Sequence, residues 1–182
     1  MTIHSKYQDQ SREWLPGKTI ALPENQYVIL NHSASLTKYL SAHTGTHCDV
    51  KVLNEFWEIP MPDEALNLGL SDQTSAWIRE VKLMCDDKIY VYARSVFSQA
   101  LLENQKKRFD GLKNQSLGEL LFIDPAISRG DIEVTRVSSG DYFYDQAVKL
   151  LSSPPDQLWA RRSNFFIEGH PLLVCEVFLD YV

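Results

Sequence analysis

Two charged side chains stand where the pattern of the chain leaves little room for charge. Residues 76–85, AWIREVKLMC, alternate as a strand does, and a period of two puts Trp77, Arg79, Val81 and Leu83 on one face. Arg79 therefore shares an apolar face. Further on, PLLVCEVFL (171–179) is apolar throughout except for Glu176, so this carboxylate is expected to be buried whichever way it points. A lone buried charge is costly and has to be paired or neutralised. Arg79 can snorkel to a rim or meet a structural carboxylate, and Glu176 can balance Arg79 or Arg161. The chemical alternative is a guanidinium that waits for an anion and a carboxylate that orients, or acts on, what the anion carries.

Two helix starts offer further anion-binding groups. Ser116-Leu117-Gly118-Glu119 reads as a capping box, which makes Leu117 the first residue of a helix, and Ser35-Leu36 repeats the arrangement earlier in the chain. The first turn of a helix leaves backbone N–H groups free and favours negative charge. Every helix has such an end, so the weight lies in the combination. Arg79, Glu176 and the amides of Leu36 and Leu117 together suit a small acid with a hydroxyl at its far end.

A third group competes with this reading. His43, His47 and Asp49 fall within seven residues around a Gly-Thr turn, which resembles the His-x-Gly-Thr-His-x-Asp pattern of metal-dependent cyclases and formamidases. In those enzymes the Asp is followed by a Pro and another His. Here Val50-Lys51-Val52 follows instead, so no metal is expected.

The elements that must position these residues follow from pattern. At 182 residues the chain reads as one domain, long enough to bury ~70% of its unfolded surface. A formal charge of −6 and a pI near 5.3 argue against nucleic-acid binding, which needs clustered Lys and Arg. Cys48, Cys85 and Cys175 are odd in number and widely spaced, so a disulfide or zinc framework is not expected and the cytoplasm is. No leader-like start and no apolar run long enough to span a membrane is seen. Residues 1–10 read as loosely held. SLTKYLSAH predicts a short helix capped by Ser33 or Ser35 and ended at Thr44-Gly45, and a strand is expected from His47. SAWIREVKLMC and KIYVYARSVF flank Asp86-Asp87, and LWARRSNFFIE and PLLVCEVFL flank Gly169-His170, giving two hairpins. Between them lie a helix start at SLGELLF, a strand at GDIEVTRV and a helical patch at DYFYDQAVKLL, while NQKKRFDG reads as a solvated helix end or loop. The sum is α+β: one antiparallel sheet with helices packed on one side.

The motifs WIREVKLMCDDKIYVYARSVF, SLGELLF, ISRGDIEV, LWARRSNFFIEGHPLLVCEVFL and SLTKYL occur in the order found in chorismate lyases, and the chain resembles that family from about Ser33 to Leu179. The resemblance implies a chorismate-lyase-like fold and conversion of chorismate to 4-hydroxybenzoate and pyruvate, the first step of ubiquinone biosynthesis. It further implies a cytoplasmic monomer without cofactor or metal. By the same resemblance Arg79 grips the ring carboxylate, the Leu36 and Leu117 amides assist it, and Glu176 contacts the product's phenolic hydroxyl. Arg94, fifteen residues after Arg79, is expected to meet the enolpyruvyl carboxylate. Arg161 and Arg162 are assigned structural roles.

Two departures stand out. Ser95-Val96-Phe97-Ser98 replaces the Thr-Val-Val-Pro of some members, so that strand is expected to end differently, and residues 138–156 read as an extra helical insertion over the sheet or the site. The alternative function is a non-catalytic sensor of a small aromatic acid, since effector domains of certain transcription regulators share this fold. Those domains follow a DNA-binding helix-turn-helix, and the roughly thirty residues before Ser33 show no such pattern.

Overall fold

In a computed structural model of the chain, residues 12–71, 73–112 and 115–181 are described; the segment 1–10 lies outside them. β1 (Leu15–Pro16) is followed by α1 (Glu24–Leu30), α2 (Leu36–Thr44) and β2 (Cys48–Glu58). After α3 (Pro62–Leu68) comes the hairpin of β3 (Ala76–Cys85) and β4 (Lys88–Ser98). The chain continues through α4 (Gln99–Asn104), α5 (Lys106–Phe109), α6 (Leu117–Ile123), β5 (Ser128–Arg129), β6 (Glu133–Ser138) and α7 (Tyr142–Ala147). It closes with the hairpin of β7 (Gln157–Ile167) and β8 (His170–Phe178). All pairings are antiparallel, in the order β1-β6-β7-β8-β4-β3-β2, with β5 also on β7.

The expected α+β sheet forms, and its alternation defines two faces. One carries Arg79, Val81 and Leu83 of β3, Ala93 and Ser95 of β4, Val174 and Glu176 of β8 and Arg161 of β7; the main helical layer of α1, α2, α4, α5 and α6 packs on it. The other carries Ile78, Tyr92, Val96, Leu173, Cys175 and Val177, against which α3, α7 and the turn that follows α7 lie. The 138–156 segment thus covers the face away from Arg79 and Glu176. The second hairpin turns one residue earlier than its sequence suggests, because Glu168 and Gly169 both take positive φ (49° and 83°), which suits a tight two-residue turn.

Helix ends follow local chemistry. Ser35 and Ser116 accept from the amides of Lys38 and Glu119, and Gly45 at φ 72° closes α2. Ser98, where some relatives of the motif carry Pro, ends β4 by capping α4 through the Leu101 amide. The NQKKRFDG stretch is more than a solvated end, since Phe109 is buried and packs edge-on against Phe97 at 5.2 Å.

The cysteine expectation is corrected by the sheet register. Cys48 and Cys85 are partners at the shared end of β2 and β3 and form a disulfide, with Cα atoms 4.1 Å apart, while Cys175 stays free and buried. A separation of 37 residues hid a pairing that only the alignment of two strands reveals. Burial pushes the Cys175 thiol well above its ordinary pKa, so it is inert packing.

Candidate active site

Three arginines are buried to 1% exposure, Arg79, Arg94 and Arg161, and each is satisfied differently. Arg79 lies under α6. Its Nε donates to Glu55 at 3.2 Å and its Nη2 to the Gln115 carbonyl at 3.2 Å, just before the Ser116 cap. Burial pulls its pKa down, and the Glu55 carboxylate offsets part of that effect. Glu55 reaches Arg79 because the β2–β3 register shifts between Val52 and Asn54, which brings Glu55 opposite it.

Arg161 and Glu176 are register partners on β7 and β8, and Arg161 Nε donates to Glu176 Oε2 at 2.5 Å. The Nη1 of Arg161 reaches three carbonyls at the end of α1, those of Ile29, Leu30 and His32. The carboxylate is therefore compensated without Arg79.

Between these two charged centres lies a cavity. Its floor is β4, where Ala93 and Ser95 contribute little volume; Val81, Leu83 and Val174 flank it, and Leu36, Leu117 and Phe165 form its walls. Arg79 and Glu176 stand on strands either side of β4, about 10 Å apart across the sheet at ordinary strand spacing. The starts of α2 and α6 meet at the Arg79 end, where Thr37 and Ser116 hydroxyls are 3.1 Å apart. As first residues of their helices, Leu36 and Leu117 have N–H groups with no intrahelical carbonyl to meet. Arg79, Leu36, Leu117 and Glu176 thus line one cavity, buried guanidinium and paired amides at one end, carboxylate at the other.

Arg94 does not join them, which corrects the expectation. It points to the other face, where its Nε and Nη2 hold Glu64 (2.8 and 3.2 Å) and its Nη1 holds Glu80 (3.0 Å) and the Tyr142 hydroxyl (3.3 Å). Tyr92, Tyr142 and Asn54 also donate to Glu80. The physical reason is a bulge. Next to the turn, Met84 pairs with Ile89, but Leu83 pairs with Val91, so Tyr90 is the extra residue and every later side chain of β4 changes face. With regular pairing Arg94 would lie opposite Arg79; with the bulge that place belongs to Ser95.

Arg129 of β5, within ISRGDIEV, is a candidate that the sequence reading does not single out. It lines the cavity beside Arg161 and Phe165. The signal available was a second cation in a segment between two apolar elements.

The metal-like trio is dispersed. His43 stacks on Tyr39 at 3.9 Å, while His47 and Asp49 contact each other at 3.2 Å on the exposed surface. Among the described residues no three His, Cys, Asp or Glu side chains come together as a metal site. Nor does any described helix have the length and apolarity to cross a membrane.

Comparison with known proteins bears on the family and the fold. The profile of the family described as "Chorismate lyase" matches residues 9–182. "Probable chorismate pyruvate-lyase 2" of Pseudomonas entomophila is 37% identical over 168 residues, covering 91% of this chain and 87% of that protein. "Probable chorismate pyruvate-lyase" of Nitrosomonas europaea is 32% identical over 169 residues, covering 93% and 94%. Among solved structures, the PhnF C-terminal domain superposes with a TM-score of 0.57 at 12% identity, over 74% of this chain and 84% of that one. The C-terminal domain of the histidine utilization repressor from Pseudomonas syringae gives 0.54 at 11%, over 72% and 90%. At such identities these two likenesses speak for the fold alone.

Proposed function

The chain belongs to the chorismate lyase family, and from that premise we propose that its cavity takes chorismate and releases 4-hydroxybenzoate and pyruvate. The observation that carries this reading is the placement of Arg79 and Glu176 at opposite ends of one cavity, with two helix N-termini at the Arg79 end. The ring carboxylate lies on Arg79 and the Leu36 and Leu117 amides, and the ring hydroxyl donates to Glu176. The ether bond to the enolpyruvyl group breaks and the hydrogen of the hydroxyl-bearing carbon is lost. The ring becomes aromatic, and the departing enolpyruvate takes a proton at its methylene carbon to give pyruvate.

Aromatisation supplies the driving force, so the protein's task is to bind and orient. Positioning of this kind contributes ~7–11 kcal/mol in favourable cases. Placement between sheet and helices also limits contact of the bound molecule with water, which strengthens each contact to charge. The site residues present supply acid, base and anion contacts, and the reaction as written requires neither metal nor organic cofactor.

The chain acts as a monomer in the cytoplasm in this reading, at the head of ubiquinone synthesis, and binds no nucleic acid. The Cys48–Cys85 bond is compatible with a reducing compartment because both residues are buried, at 2% and 3% exposure, and exchange requires a thiolate to reach a sulfur. The deciding experiment incubates purified protein with chorismate and follows 4-hydroxybenzoate by chromatography. Stoichiometric 4-hydroxybenzoate and pyruvate are expected. Binding of 4-hydroxybenzoate by folded protein that turns over no chorismate would replace the enzyme with a sensor.

A further inference from the structure

Three arginines, Arg79, Arg129 and Arg161, line the cavity, together with one carboxylate, Glu176. Arg79 is paired with Glu55 and Arg161 with Glu176, whereas among the described residues no carboxylate is in contact with Arg129. The hydrogen bond it makes to the described residues runs from Nη1 to the His32 carbonyl at 3.2 Å, an acceptor that Arg161 Nη1 also uses at 2.9 Å. Two guanidinium groups thus converge on one neutral oxygen. The Nε of Arg129 is buried and has no partner among the described residues, an uncommon condition for a charge-bearing donor. Phe122 and Phe165 lie at 5.8 and 5.3 Å from its central carbon and hold the guanidinium plane against the cavity wall.

The surroundings register the excess charge. Burial and Arg161 together pull the Arg129 pKa down to about 10, and burial, Arg161 and Arg129 lower that of His32. Glu176 offsets part of both shifts, and Arg161 already engages it.

From the unpartnered Nε, the missing counter-charge and the position in the cavity wall, we propose that Arg129 binds the second carboxylate of the substrate, the one carried by the enolpyruvyl group. This rests on the lyase reading and adds to it the group that tells substrate from product. The free edge of a guanidinium donates two parallel hydrogen bonds to a carboxylate. The ring carboxylate stays with the aromatic product on Arg79, while the second carboxylate leaves with pyruvate. Arg129 therefore contributes to holding chorismate and nothing to holding 4-hydroxybenzoate.

The test compares Arg129→Met, Arg129→Lys and Arg79→Met with wild type in two measurements, KM for chorismate and the inhibition constant of 4-hydroxybenzoate. For Arg129→Met the expected result is a KM raised at least tenfold with the 4-hydroxybenzoate constant within threefold of wild type. Arg129→Lys keeps the charge without the fork and is expected to fall between. Arg79→Met is expected to weaken both ligands. An unchanged KM in a folded Arg129 variant, or equal weakening of both ligands, overturns the assignment. Should Arg129→Met fail to fold, the Lys variant is read by the same criterion. If wild type yields no 4-hydroxybenzoate, the lyase reading fails on its own, and calorimetric titration of chorismate and 4-hydroxybenzoate into the same proteins decides the Arg129 question separately. Selective loss of chorismate binding then supports it, and absence of chorismate binding to wild type overturns it.

Discussion

Arg161 donates through Nε to Glu176 at 2.5 Å while its Nη1 is fixed on the carbonyls of Ile29, Leu30 and His32, so the carboxylate at one end of the cavity is tied to the last turn of α1. Glu176 is held in place and electrically compensated before any ligand arrives.

Glu176→Ala should therefore lower kcat, on the order of 10²-fold as for loss of one well-placed polar contact to the reacting molecule. Arg161 keeps three carbonyl acceptors in the variant, so the fold should persist. Steady-state kinetics on chorismate with a parallel thermal melt checks both statements, and a kcat within twofold of wild type would mean the hydroxyl is held elsewhere.

Arg79→Ala should act on affinity. Hydrogen bonds to charged groups contribute ~1.5–3 kcal/mol, so KM is expected to rise roughly 10–100-fold. Its partner Glu55 has a side chain 36% exposed and can turn to water when the guanidinium is gone. The comparison of KM in folded wild type and variant measures this.

Arg94→Ala should act on stability. It leaves Glu64 and Glu80, each with at most 3% of the side chain exposed, without their cation, at a cost of roughly 3–5 kcal/mol. At ~2–4 °C per kcal/mol for a chain of this size, a drop in Tm of at least ~6 °C is expected. Material that remains folded should show the wild-type KM; a changed KM at unchanged Tm would return Arg94 to the site.

The same network sets an acid limit. Burial alone would raise the Glu80 pKa, but the Tyr142 hydrogen bond, the Arg94 charge and the bonds from Tyr92 and Asn54 outweigh it and hold the carboxyl below its ordinary value. A depressed carboxyl contributes stability that is complete above its unfolded pKa, about 4.3, and is lost as pH falls through the lower folded value. Tyr142→Phe removes one of those bonds and brings the folded value back toward the ordinary one. Urea unfolding between pH 6 and pH 3 should thus show a shallower acid loss from a lower starting point in the variant.

Removing the crosslink with Cys48→Ala and Cys85→Ala frees a loop of 37 residues in the unfolded chain, worth about 3–4 kcal/mol in the chain-entropy picture. A lower urea midpoint with unchanged KM is expected, since the bond lies at the far end of α2 from Leu36. Equal midpoints for oxidised wild type and the double variant would remove any stabilising role.

Much of this architecture was legible in the sequence because alternation survives in β3, β4, β7 and β8, and because Ser35 and Ser116 cap where they should. Arg79 and Glu176 stood out for the same reason: each is a charge in an apolar strand. What escaped has physical causes. α1 and α3 are seven residues long and begin after Pro23 and Met61, too short to display a helical period. The disulfide depended on which strand ends coincide. Arg94 was misplaced by a single bulged residue, Tyr90, whose carbonyl accepts from the amide of Leu179 instead of joining the β3 ladder. No pattern of residue types announces such a slip, yet it decides which face a side chain serves.

Ala93 and Ser95 occupy the middle of the sheet, where neighbouring rows carry Val, Leu and Phe side chains. The fold is thus left with open space in its interior, which in the proposed reading the ring of the substrate fills. In the proposed reading a molecule that completes the packing of its host leaves only when the interior gives way, so the two small side chains that admit the substrate are expected to slow departure of the aromatic product, which a burst of 4-hydroxybenzoate ahead of the steady state would reveal.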